Sequence, residues 1–142
     1  MYFYGETLLA LNKYRDSELA FQHALVLRQD LGLEQAILSP KLGLVHVAQK
    51  RGKVEQALRE LDEILSLFDS PQMDHLDDPF GFYWNCFKLL NENQDTRARK
   101  VLEKAYYQLK ERAATIPEES SRHSFLYNVP EHRNIIETFE TA

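Results

Sequence analysis

Cysteine is almost missing from this chain: among 142 residues there is one, Cys86. A lone thiol cannot close an internal disulfide, so an oxidising compartment gets no support. Glycine and proline are scarce, at five each, which suits long helices. Charge interrupts every apolar run, and none approaches the roughly 20 residues that span a bilayer. The N-terminus lacks a basic segment followed by an apolar core, so no secretory leader is read there. Basic residues are outnumbered: 17 Lys and Arg against 22 Asp and Glu leave a net charge of -5. That disfavours nucleic acid, whose phosphates need a basic face. Glycine-rich phosphate loops, G-x-S-x-G and H-E-x-x-H are all absent. The expectation is a cytoplasmic, non-enzymatic protein with no cofactor, no metal and no membrane span.

What is present is a pattern that occurs three times. Asn12-Lys13-Tyr14, with Ser17, Phe21, Ala24 and Leu25, is the first copy. Gly52-Lys53-Val54, with Ala57, Leu61, Ile64 and Leu65, is the second. Asn93, with Ala98, Leu102, Ala105 and Tyr106, is the third. Ser17 to Ala57 is 40 residues and Ala57 to Ala98 is 41. A repeat of that length implies stacked helical hairpins, none able to bury its own apolar face alone. With 44% hydrophobic and 27% charged residues, the composition is that of an ordinary globular domain.

The helices follow from periodicity. Over 54–68, Val54, Ala57, Leu58, Leu61, Ile64, Leu65 and Phe68 recur at helical spacing. The same pattern covers 15–30 and 95–112. The partner helices are 2–12, 40–51 and 79–91. Ser39-Pro40 and Asp78-Pro79 read as caps with proline at the first helical position. Residues 33–38 are helix-like, and Gly32 is a candidate C-terminal cap. The only substantial loop is 69–78. In the tail, Thr115-Ile116-Pro117-Glu118 reads as a capping box and Asn128-Val129-Pro130-Glu131 as a second helix start. Short helices at 117–127 and 130–140 are expected to lay Phe125, Leu126, Ile135, Ile136 and Phe139 on the preceding hairpin. The expected architecture is all-α: one domain over 1–142, with hairpins at about 2–31, 33–68 and 79–112 and a cap at 115–140.

These residues resemble the tetratricopeptide repeat. Copy one matches at Gly5, Leu8, Tyr14, Ser17, Phe21 and Ala24. Copy two matches at Leu44, Ala48, Gly52, Ala57 and Ile64, with Val45 where a first-helix glycine is usual. Copy three matches at Leu89, Ala98, Leu102 and Ala105. The spacing, longer than 34 residues, is similar to repeats of bacterial multidomain signalling NTPases and maltose-activator-like transcription regulators, and residues 122–135 are similar to the segment that closes such arrays. Because Met1 falls inside the first helix, an upstream NTPase or DNA-binding part is expected in a longer protein. The resemblance implies a right-handed superhelical stack that binds a peptide or protein segment in a concave groove. Carried over by position, that groove is lined by Tyr2, Glu6 and Leu9, then Leu42, His46 and Gln49, then Tyr83, Phe87 and Leu90. The competing reading is that Tyr83, Phe87 and Leu90 are core under residues 117–140. A chaperone-tail carboxylate clamp is rejected, because Tyr2 and Glu6 stand at its first lysine–asparagine pair and Gly43 where a second asparagine belongs.

Other candidates carry less. His75 among Asp69, Asp74, Asp77 and Asp78 matches no calcium-loop spacing. His123 and His132 read as exposed or capping, and Cys86 as a buried, inert thiol. Arg97, Arg99, Lys100, Lys104, Lys110 and Arg112 form a basic run, but Glu103 and Glu111 interrupt it as on any solvated helix face. Two further functions stay open: a small-ligand effector sensor using the same concavity, and a homodimerising module.

Overall fold

A computed structural model describes residues 2–33, 36–71, 73, 76 and 78–141. Among them are eight helices and no strand: α1 (Tyr2–Ala10), α2 (Tyr14–Asp30), α3 (Leu38–Lys50), α4 (Val54–Leu65), α5 (Pro79–Glu92), α6 (Ala98–Ala114), α7 (Glu119–Tyr127) and α8 (Pro130–Thr141). The chain divides into two compact units, Met1–Asp77 and Asp78–Ala142. Phe21, Leu61 and Leu102, one from each copy of the repeated pattern, are all buried.

In the first unit, α1 packs on α2, α2 on α3 and α3 on α4, and α1 also reaches α3. Phe21 explains the last contact. Its ring is fully buried, with Gly5 of α1 and Gly43 of α3 both against it. A Cβ built on Gly5 would lie 2.8 Å from the ring, and one on Gly43 2.5 Å. Glycine is required here because no side chain fits between helix backbone and ring. Beside it, the buried Ser17 hydroxyl donates to the Gly5 carbonyl at 2.8 Å. The small residue early in the second helix thus lets the backbones approach and also satisfies its own polar group.

In the second unit, α8 packs on both α5 and α6, and α7 packs on α6 and α8. Ile135 and Ile136 are buried, as is Leu126. Phe139 stacks on Tyr106 with centroids 4.1 Å apart, and Phe125 meets Phe80 edge-on at 6.4 Å. The tail therefore does cover the third hairpin. Asp78 caps α5 as expected: its carboxylate accepts from the Gly81 N–H at 3.1 Å, with Pro79 opening the helix.

Each hairpin turns by the same device. Asn12, Gly52 and Gln94 have φ of 60°, 81° and 55°. The next residue's N–H returns to a carbonyl of the last helical turn: Lys13 to Leu8, Lys53 to Ala48, and Asp95 to Leu90, each at 2.9 Å. This is the left-handed helix stop that satisfies otherwise orphaned carbonyls. Gly32, φ 71°, ends α2 in the same way, as its sequence position implied.

Two helix starts differ from expectation. α3 begins at Leu38 with no side-chain cap, and Ser39 and Pro40 lie buried inside its first turn. Proline is tolerated throughout that turn, where an N–H has no helical partner, so it did not mark the first residue. Ahead of α3 the Ala36 N–H donates to the Leu33 carbonyl at 2.9 Å; residues 34 and 35 of the helix-like stretch 33–38 lie outside the described residues. Thr115 does not open α7. It ends α6, its hydroxyl donating to the Arg112 carbonyl at 2.7 Å, and α7 starts at Glu119. A threonine hydroxyl bonds whichever backbone group is nearest, here that of the preceding helix.

Candidate functional site

The first unit carries an open recess across three helices. Leu25 of α2, Leu38 and Leu44 of α3, Ile64 of α4 and Leu67 beyond it supply its apolar lining. Lys41, Glu60 and Glu63 supply its charge, and it encloses about 200 Å³. A second recess of about 100 Å³ shares Leu44 and Glu60 with the first and adds Glu18, Gln22, Val47, Ala48, Arg51, Lys53 and Gln56. Glu18 and Arg51 are ion-paired across α2 and α3. The two recesses adjoin at Leu44 and Glu60 along one cleft, apolar at the first and mixed at the second. α3 makes this possible because it is apolar on nearly every side. A helix of that kind is central, and its flanks meet neighbours rather than water.

None of the nine groove residues expected from the sequence lines this cleft. Leu42, Tyr83, Phe87 and Leu90 are core, at 3%, 2%, 9% and 0% exposure, so they offer a partner almost no surface. Tyr2, Glu6, Leu9, His46 and Gln49 are half-buried. Tyr2 donates to Glu6 at 2.8 Å and lies under the Arg28 guanidinium, 5.4 Å from its ring centre. On α3, Leu42, His46 and Gln49 share one side by their spacing, while Lys41, Leu44, Ala48 and Arg51 share the opposite side. On α3 the expected lining and the lining of the cleft therefore occupy opposite sides of one helix.

Chemistry elsewhere is occupied. The Cys86 thiol is fully buried, and burial pushes its pKa far up, so it stays protonated and unreactive. His132 is also buried, not exposed or capping. Its Nδ1 lies 2.7 Å from the Phe125 carbonyl, and its ring meets Phe80 edge-on at 5.0 Å. Since a carbonyl only accepts, Nδ1 carries the proton. His123 is exposed, its ring 4.7 Å from that of Tyr127. The basic run on α6 is largely committed within its own unit. Arg97 pairs with Asp95 at 2.7 Å, and its hydrogen bonds hold the Asp95 carboxyl below the usual range. Arg99 lies over Phe139 at 4.9 Å, Lys110 over Tyr106 at 5.9 Å and Arg112 over Phe80 at 5.5 Å. Cation–ring contacts of this kind hold Arg99 against α8 of the cap, while Lys110 and Arg112 meet rings of α6 and α5.

No family model, no curated protein and no solved structure matches the chain.

Among the described residues no cluster of three or more His, Cys, Asp or Glu could hold a metal ion. Asp74, His75 and Asp77 of the 69–78 loop lie outside the described residues. No described helix is long and apolar enough to cross a membrane.

Proposed function

We propose that the chain is a protein-recognition module of tetratricopeptide type, a superhelical stack of three hairpins closed by a helical cap. In this reading it seats a peptide or protein segment in the cleft over α3. The common turn device and the Phe21 ring held between two glycines support the repeat reading. The cleft carries the functional one. At about 200 Å³ its apolar recess is smaller than the roughly 300–1,000 Å³ of small-molecule sites. It suits one or two apolar side chains of a longer ligand, the anchor pattern of helix and peptide recognition. Glu60 and Glu63 beside that recess favour a basic residue flanking the anchor. By the resemblance, the module serves a cytoplasmic bacterial signalling or transcription regulator and performs no catalysis of its own.

The test is selection from a displayed library of helical peptides. Recovered sequences should share an apolar anchor with a neighbouring Lys or Arg. Glu63→Lys, a change at an exposed position, should weaken them by about 1.4 kcal/mol, or tenfold, with circular dichroism unchanged. Leu67→Glu should abolish binding. Recovery of no binders, or full affinity in both variants, rejects the cleft.

A further inference from the structure

The cleft over α3 carries opposite charge at its two ends. The apolar recess holds two carboxylates, Glu60 and Glu63, against one ammonium, Lys41. In the mixed recess Glu18 and Arg51 cancel each other, and the Gln56 amide donates to Glu60 at 3.2 Å. Lys53 is left over at that end. Glu63 and Lys53 are both exposed, and among the described residues neither enters an ion pair. Lys53 immediately precedes α4 and Glu63 lies in its last turn, ten positions on. At 1.5 Å per residue the two ends stand about 15 Å apart. Between them Leu44, Val47 and Ala48 keep the lining from α3 apolar.

We propose that the cleft takes an amphipathic helix of another protein whose charges run in the complementary order. A Lys or Arg beside its apolar anchor meets Glu63, and an Asp or Glu two to three turns away meets Lys53. This rests on the reading of the cleft as a peptide site, and adds the ligand's length and polarity to it. A helix fits because its apolar stripe can follow α3 over the full distance while its flanks reach the charged rims. An extended segment would turn every second side chain out of the cleft. The charge order also fixes direction. Laid the other way round, the ligand sets cation against Lys53 and carboxylate against Glu63, and both contacts become repulsive.

The probe is the tightest peptide recovered from a displayed library of helices of about 18 residues, long enough to overreach the cleft. Its affinity is read by fluorescence anisotropy. Recovered peptides should carry Asp or Glu two to three turns from the anchor, on the side away from Lys or Arg. A copy with that acid changed to Lys should bind about fivefold more weakly, the range of one exposed ion pair. A copy with its two charges exchanged should bind more weakly still. Lys53→Glu should weaken the original peptide and restore the Lys-bearing copy, a coupling that a double-mutant cycle isolates. Lys50→Glu makes the same change of charge at an exposed position outside the cleft lining, and should do neither. Should Lys53→Glu fail to fold, the peptide-side exchanges decide on the unaltered chain. Peptides without the acid, equal binding of the exchanged copy, or an equal response to Lys50→Glu overturns the proposal and leaves peptide binding in the cleft standing. Recovery of no peptide overturns both.

Discussion

Phe21 sets the closest helix contacts in the first unit, and the consequence can be measured. Glycine to alanine inside an open helix normally gains about 1 kcal/mol. At Gly43 the added Cβ would lie 2.5 Å from the Phe21 ring, and overpacking a rigid core costs about 1–3 kcal/mol. The steric effect wins, so Gly43→Ala should lower the unfolding free energy by about 1–2 kcal/mol. In a Phe21→Leu background, where the ring is gone, the same substitution should cost less. Urea titration of the four proteins gives the coupling, and equal costs in both backgrounds would refute the contact. The identity of Phe21 as core was readable from its place in the repeat. Its two glycine neighbours were not read as one feature, because Gly5 and Gly43 meet only through the ring, 38 residues apart in sequence. His132 was misjudged for a similar reason: a polar residue on an amphipathic tail reads as exposed until Phe80 and the Phe125 carbonyl enclose it.

The helices themselves were largely legible, because their signals are local. Apolar spacing, Asp78 with Pro79, and the turns at Asn12 and Gly52 act within a few residues. The starts of α3 and α7 were not, because Ser39 and Thr115 had more than one backbone group within reach. The third turn exposes a weakness in the element it closes. Gln94 holds φ 55°, a conformation that costs a non-glycine residue roughly 1 kcal/mol, whereas Gly52 adopts it freely. Gln94→Gly should therefore stabilise the protein by about 0.5–1 kcal/mol, read as a rise in Tm of a few degrees. A neutral or negative effect would mean that glycine's greater freedom in the unfolded chain cancels the relief.

At the scale of the whole molecule, the tail contributes core as well as surface cover. Ile135 is fully buried beneath the third hairpin, so Ile135→Ala should cost about 2–4 kcal/mol, with faster amide exchange in α5, α6 and α8. A loss below about 0.5 kcal/mol, the range of surface substitutions, would show the cap to be loosely held. The nine expected groove residues separate two kinds of information. Helical spacing showed that Tyr83, Phe87 and Leu90 share a stripe, but a stripe looks the same whether a partner or the chain itself covers it. The sequence by itself determined the all-helical class, the 40-residue repeat and most helix ends, since capping, turn chemistry and apolar period act over a few residues. Only the tertiary structure decided that those three side chains are core and that the cleft opens on the opposite flank of α3. Burial and concavity arise where helices distant in sequence meet, and no local pattern encodes which flank is left uncovered.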